Sequence, residues 1–180
     1  MRTFTAHLFA SADGAVDSPD LFQFDSFDDE CGHALGAALM GSDATILGRR
    51  LYDEWSNYFP GASDPFADYI NPIKKYVPSR TLNGPLSWEN AELVTGEFLD
   101  FARELKAGEG GTVTVNGISV IRQLFLAGLI DTLTFTVHPV LVGGGRRLLD
   151  EHAITRMELV DSKITSKGNA LLSYQLRPSE

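Results

Sequence analysis

The sequence predicts an α/β fold, a mainly parallel central sheet flanked by helices with an antiparallel C-terminal hairpin. Three observations carry this. Residues 112–148 read strand, glycine, helix, glycine, strand: TVTVN, Gly117, a helical stretch, Gly128, then TLTFTVH. Upstream, short apolar runs alternate with segments of helical period, the order that produces parallel pairing. Downstream, residues 157–165 and 171–176 are strand-like and are joined by Lys167-Gly168-Asn169, a hairpin turn signal.

In chain order, residues 3–10 are apolar and alternate enough for a first strand, and residues 11–25 hold the glycine, proline and aspartate of a long loop. Ser26 with Asp29 three residues on has capping-box spacing. Cys31, Ala34, Leu35, Ala38 and Leu39 then recur at helical spacing, which predicts a helix with one buried face. Asp28, Asp29 and Glu30 in its first turn read as surface charges that complement the helix dipole. Residues 44–47 form a short strand ending in Gly48-Arg49-Arg50, and a brief helix carries Tyr52 and Trp55. Residues 60–72 are loop-like with a helical turn near 66–70, and residues 75–77 read as a strand before the turn Pro78-Ser79-Arg80. After a short strand at 92–95, Thr95 is placed to cap a helix with Phe98, Phe101, Ala102 and Leu105 on its apolar face, ended by Gly108. Residues 112–115, 118–127 and 132–138 complete the series as strand, helix and strand.

The chain has 180 residues, 43% hydrophobic and 22% charged, which suits one domain spanning 1–180. The formal net charge of −9 argues against nucleic acid and against anionic membranes, since both call for clustered Lys and Arg. The basic groups to watch are therefore local clusters: Arg49-Arg50, Lys74-Lys75 and Arg146-Arg147. Cys31 is the only cysteine, so neither an internal disulfide nor a cysteine-built zinc site is expected. The start lacks the plan of a signal peptide and no apolar run approaches ~20 residues, so the expectation is a soluble, cytoplasmic protein.

A strand that feeds through glycine into a helix aims unpartnered backbone N–H groups past the sheet end, where the helix dipole favours an anion. The expected phosphate position is therefore Gly117, Ile118 and Ser119. Gly48-Arg49-Arg50, Ser79-Arg80 and Gly143-Gly144-Gly145 also follow strands, and their recurrence at successive strand ends strengthens the reading. Arginine suits phosphate through its fixed fork of donors. The G-x-G-x-x-G, Walker, H-E-x-x-H and G-x-S-x-G patterns are all absent from the sequence.

Five segments then come in a telling order: SADG (11–14), LGRRLYDEW (47–55), KKYVPSRTL (74–82), VNGISVIRQLFLAGLIDTL (115–133) and HPVLVGGGRRLL (138–149). Together they resemble the dihydrofolate reductase-like family, in particular stand-alone relatives of the reductase domain of riboflavin biosynthesis. The resemblance implies a dihydrofolate reductase-like fold and an NADPH-dependent reductase, a homodimer, acting on a small heterocyclic (pterin- or pyrimidine-like) or carbonyl substrate. It implies that Gly48 and Arg49 meet the adenosine end, with Arg50 near the phosphates. Ser79 and Arg80 hold the 2′-phosphate, and Gly117, Ile118, Ser119 and Val120 wrap the pyrophosphate. Ser11 lines the nicotinamide side with Asp13, the catalytic candidate, while Trp55, Gly143 and Gly144 border the substrate. The family usually has leucine where Ala12 stands and Gly-Ser where this chain has Gly117-Ile118-Ser119. The acid that dihydrofolate reductases carry on their first helix has no secure match, and a single cysteine excludes a zinc deaminase domain. Read structurally, Asp13 is a turn residue, His138 a structural or interface residue, His33 a boundary residue and Arg146-Arg147 a solvated pair. The alternative function is a non-catalytic small-molecule-binding protein on the same fold.

Overall fold

A computed structural model of the chain describes residues 1–150 and 154–176. Among these, the strands are β1 (Thr3–Ser11), β2 (Ser42–Leu47), β3 (Lys74–Pro78), β4 (Ala91–Val94), β5 (Thr112–Asn116), β6 (Thr132–His138), β7 (Met157–Ile164) and β8 (Ala170–Leu176). They make one sheet in the order β4-β3-β2-β5-β1-β6-β8-β7. The helices are α1 (Asp29–Leu39), α2 (Arg49–Tyr58), α3 (Pro65–Ile70), α4 (Phe98–Ala107) and α5 (Ile118–Leu126). The fold divides into two compact units, one of residues 1–4 and 41–129, the other of residues 5–40 and 130–180.

In the first unit β2 pairs in parallel with both β3 and β5, and β3 with β4. The β-branched run Val113-Thr114-Val115 is buried in β5, as a strand covered on both faces requires. Leu47, Tyr52, Ile70, Ile73, Val77 and Trp88 form an apolar core, with Trp55, Phe59, Phe66 and Tyr69 packed against it. Lys75 is buried inside that core's edge. Its Nζ donates to the carbonyl oxygens of Asn71 (2.8 Å), Ile73 (2.9 Å) and Glu89 (3.0 Å) and lies 4.6 Å from the Trp88 ring centroid. The Lys74-Lys75 cluster is thus divided, since Lys74 pairs outward with Glu92 at 2.6 Å. Thr95 does not cap α4. Gly96 takes φ +83 and turns the chain, so the residue preceding the helix is Glu97.

In the second unit β1 runs parallel to β6, with Ser11 opposite His138, while β8 is antiparallel to both β6 and β7. The turn between β7 and β8 is closed by Gly168 at φ +84. Helix α1 is capped by Asp28 rather than Ser26, the Asp28 carboxylate accepting from the Cys31 amide at 2.9 Å. The reason is competition: the Ser26 hydroxyl is paired with His138 Nδ1 at 2.7 Å. The first-turn acids do more than answer the dipole. Asp28 Oδ2 accepts from Lys167 N at 3.2 Å, and Glu30 accepts from Ser166 N at 2.6 Å and pairs with Lys163 Nζ at 3.1 Å. They fasten the β7–β8 turn to the head of α1. Burial works against the charged form of Asp28, yet hydrogen bonds from Thr165, Cys31 and Lys167 hold its carboxyl well below the usual range. The expected apolar face of α1 is covered only in part: Cys31 is buried, Ala34, Leu35 and Leu39 are half-buried, and Ala38 and His33 are exposed.

His7 points from β1 to Thr136 Oγ1, 2.8 Å from its Nε2. Burial, and then the neighbouring His138, lower its pKa to about 4. The unfolded chain therefore binds more protons than the folded one between about pH 4 and the ordinary histidine value near 6.5. Stability should fall as pH drops through that window, by up to about 3 kcal/mol. Chemical denaturation at pH 7 and pH 4.5 measures this, and His7→Asn should reduce the difference.

Candidate functional site

In the first unit two parallel neighbours, β2 and β5, end side by side and each feeds a helix. Gly48 leads from β2 into α2 and Gly117 from β5 into α5. The two glycines touch: Gly48 N donates to Asn116 O at 2.8 Å, and a Cβ placed on Gly117 would lie 3.2 Å from Gly48 Cα. Gly117 also takes φ +110, which side chains rarely adopt. This contact brings two helix N-termini to one spot, each presenting first-turn amides that have no acceptor within the helix. Two macrodipoles then favour the same anion. Asn116 Nδ2 donates to Thr45 Oγ1 at 2.9 Å and Thr45 to Thr114 O at 3.1 Å, which ties the ends of the two strands together.

Arg49, the first residue of α2, is held on two sides. Its Nε donates to Asp53 Oδ1 at 2.8 Å, and its Nη1 to Thr81 Oγ1 at 2.6 Å. Ser79 Oγ accepts from the Thr81 and Leu82 amides at 3.1 Å each, shaping the turn that carries Arg80 and Thr81. Arg49 and the turn at 79–81 therefore come together. Arg50 does not join them; its Nε donates to Glu54 Oε1 at 3.0 Å, and its side chain is 75% exposed. Ser119 is exposed while Val120 is buried against Gly48, where a Cβ would meet Val120 Cγ2 at 3.3 Å. Trp55 stacks edge-on to Phe59 and Phe66, at 5.5 and 5.3 Å between centroids, and belongs to the aromatic layer over the core. Thr81 is the residue that sequence reasoning missed, although it stands inside the KKYVPSRTL segment; its partner lies 32 positions away.

Replacing Gly117 with alanine forces a side chain into a positive-φ conformation against the Gly48 backbone. We expect a loss of about 1–3 kcal/mol, seen as a lower melting temperature. Gly128→Ala, also at positive φ but with nothing within 4 Å of the added carbon, should cost less.

In the second unit the end of β1 is zipped to the segment after β6. Ala12 N donates to Val140 O and Val16 N to Arg146 O, both at 2.8 Å. Asp13 is the clasp: Oδ1 accepts from the Ser11 hydroxyl (2.6 Å) and the Val142 amide (3.1 Å), and Oδ2 from the Gly143 amide (2.8 Å). The Ser11 hydroxyl, foremost, and then the two amides bring the Asp13 pKa down to about 2. At neutral pH Asp13 is an anion that positions Gly143. Ser11 is buried with its hydroxyl also accepting from Ala15 N at 2.9 Å, while Gly143 and Gly144 are exposed. Beside them His138 is buried between the Phe9 and Phe22 rings, at 5.8 and 5.9 Å. Burial lowers its pKa.

The family model described as the RibD C-terminal domain matches residues 2–172. The chain belongs to this family. The match runs through all five ordered segments. The uncharacterized protein YyaP of Bacillus subtilis is 29% identical over 140 residues, 73% of each chain. Among solved structures, a provisionally assigned riboflavin biosynthesis protein from Shewanella sp. PV-4 aligns with TM-score 0.77 at 20% identity, over 98% of this chain and 99% of that one. A pyrimidine reductase-like protein from Corynebacterium diphtheriae aligns with TM-score 0.70 at 16% identity, over 98% and 92%. Dihydrofolate reductase from Enterococcus faecalis, complexed with NADP(H), aligns with TM-score 0.59 at 13% identity, over 98% and 97%. The fold of the family is thus dihydrofolate reductase-like. Among the described residues no helix is long and apolar enough to cross a membrane.

Proposed function

We propose that this protein is an NADPH-dependent oxidoreductase that reduces a small heterocyclic (pterin- or pyrimidine-like) or carbonyl substrate. The observation that carries the reading is the paired helix start at Gly48 and Gly117, with Arg49 held beside the turn at 79–81. The fit to a dinucleotide is physical: a Cβ at Gly117 would close the cradle, and the nearby amides and guanidinium are anion donors. Gly117, Ile118, Ser119 and Val120 would hold the pyrophosphate. Arg49, with Ser79, Arg80 and Thr81, would hold the 2′-phosphate, and Arg50 would stand near the other phosphates. When bound, NADPH supplies the hydride, and the protein supplies orientation and electrostatics. In the second unit, Ser11 and Asp13 fix Gly143, and Gly143 and Gly144 would border the substrate.

Titration calorimetry with NADPH and NADH tests the reading. Micromolar NADPH binding with much weaker NADH binding supports it, and absence of binding by either removes it. A non-catalytic binding protein is the second reading, favoured by one observation: Asp13, Asp28 and Glu30 are all committed to backbone amides. NADPH binding without turnover across pterins, pyrimidines, flavin precursors and quinones would select it.

A further inference from the structure

The chain contains two Asn-Gly dipeptides, Asn83-Gly84 and Asn116-Gly117, and the fold treats them oppositely. Asn116 is half-buried at the end of β5, its Nδ2 donates to Thr45 Oγ1 at 2.9 Å, and Gly117 is pressed against the Gly48 backbone. Asn83, Gly84 and Pro85 are all exposed. They form a tip between Leu82 and Leu86, which pack against the core of the first unit. Among the described residues the Asn83 carboxamide has one long hydrogen bond, from its Nδ2 to Thr81 O at 3.5 Å. Gly84 takes φ +77, and nothing lies within 4 Å of where a Cβ would stand. We propose that Asn83-Gly84 is a site of spontaneous deamidation, whose product sets a negative charge beside Arg49 and Thr81.

The chemistry needs water and an unhindered backbone, and no redox partner. The Gly84 nitrogen attacks Asn83 Cγ, the bond from Cγ to Nδ2 breaks, and ammonia leaves with the proton that Gly84 N gives up. The five-membered succinimide then adds water at one of its two carbonyls and opens to aspartate or isoaspartate. Glycine favours the first step because no side chain shields its nitrogen. An exposed loop tip leaves the carboxamide free to turn back on the chain. Both conditions hold at Gly84. At Asn116, ring closure would have to break the bond to Thr45 and move Gly117 off Gly48. The position of Asn83 gives the change its effect. Its Nδ2 reaches Thr81 O, and Thr81 Oγ1 accepts from Arg49 Nη1 at 2.6 Å. A carboxylate at position 83 cannot donate to that carbonyl, and its charge opposes any anion that Arg49 and Arg80 gather. This consequence rests on the reading of Arg49 and the turn at 79–81 as holders of the 2′-phosphate. On that reading the aged chain discriminates less between NADPH and NADH.

Peptide mass spectrometry of the whole folded chain, after incubation at mildly alkaline pH, tests this. The peptide holding Asn83 is expected to gain the mass of an amide-to-acid exchange while the peptide holding Asn116 stays unchanged. In urea both should react, because the fold and not the dipeptide protects Asn116. Asn83 unreacted in the folded chain, or Asn116 reacting as fast, overturns the proposal. Asn83→Gln should abolish the gain, since its longer side chain closes a six-membered ring far more slowly. Asn83→Asp reads the charge alone. Its dissociation constant for NADPH should rise roughly two- to fivefold, the scale of an exposed charge pair, with NADH binding and the melting curve unchanged. Equal NADPH affinity in Asn83→Asp and wild type overturns the charge effect. Failure of fresh wild type to bind NADPH would instead remove the cofactor reading, and the mass measurement would still decide the modification.

Discussion

Lys75→Met should be among the most damaging single changes in this protein. The methionine fits the apolar surroundings of the lysine stem, but it leaves three carbonyl oxygens, of Asn71, Ile73 and Glu89, without their donor in a buried place. Each such loss costs about 1–3 kcal/mol, and breaking a buried charged network costs about 3–5 kcal/mol. A drop of that order should appear in chemical denaturation at pH 7. The pH dependence gives a second handle. Burial brings the Lys75 pKa down to about 8, below the ordinary lysine value near 10.4. Between those values the unfolded chain binds more protons, so stability should rise with pH across that window. Lys75→Met should abolish that rise. A variant as stable as wild type would mean that the three carbonyls find other donors.

Arg49→Ala should separate the two nicotinamide cofactors. Arg49 is fixed between Asp53 and Thr81, so its guanidinium is ordered before any ligand arrives. A charge-assisted hydrogen bond to phosphate contributes about 1.5–3 kcal/mol, which is roughly 10- to 100-fold in affinity. The dissociation constant for NADPH should increase by that factor, while that for NADH changes little. Arg49→Lys should recover only part of the loss, because an ammonium lacks the planar fork. Equal losses for both cofactors would take the 2′-phosphate away from Arg49.

The elements whose residues answer to local spacing were legible in the sequence. β6 is Thr132–His138 as read, α5 begins at Ile118 as read, and the C-terminal hairpin turns at Gly168. What was missed depends on partners far along the chain. Ser26 has the chemistry of a cap, but His138, 112 positions away, claims its hydroxyl and the cap moves to Asp28. Lys75 looks like half of a basic cluster until three carbonyls and Trp88 enclose it. The acids at the head of α1 look like dipole partners until the β7–β8 turn arrives at them. In the site, the glycines and Arg49 were visible because strand-to-helix turns have a pattern. Thr81 and the clasp of Asp13 on Gly143 were not, since both join segments that no local period connects.

The division of β1 has a consequence for biosynthesis. The chain's opening residues, 1–4, belong to the unit that residues 41–129 complete, whereas residues 5–40 belong to the unit that residues 130–180 complete. During translation the first of these units has all its parts once residue 129 has emerged from the ribosome. Within residues 5–40 these contacts wait for the final strands: Phe9 and Phe22 lack His138, Asp28 lacks its hairpin turn, and Asp13 lacks the amides it will hold. A nascent chain paused between those two points carries a finished body and a waiting arm, and chaperone capture should concentrate on residues 5–40.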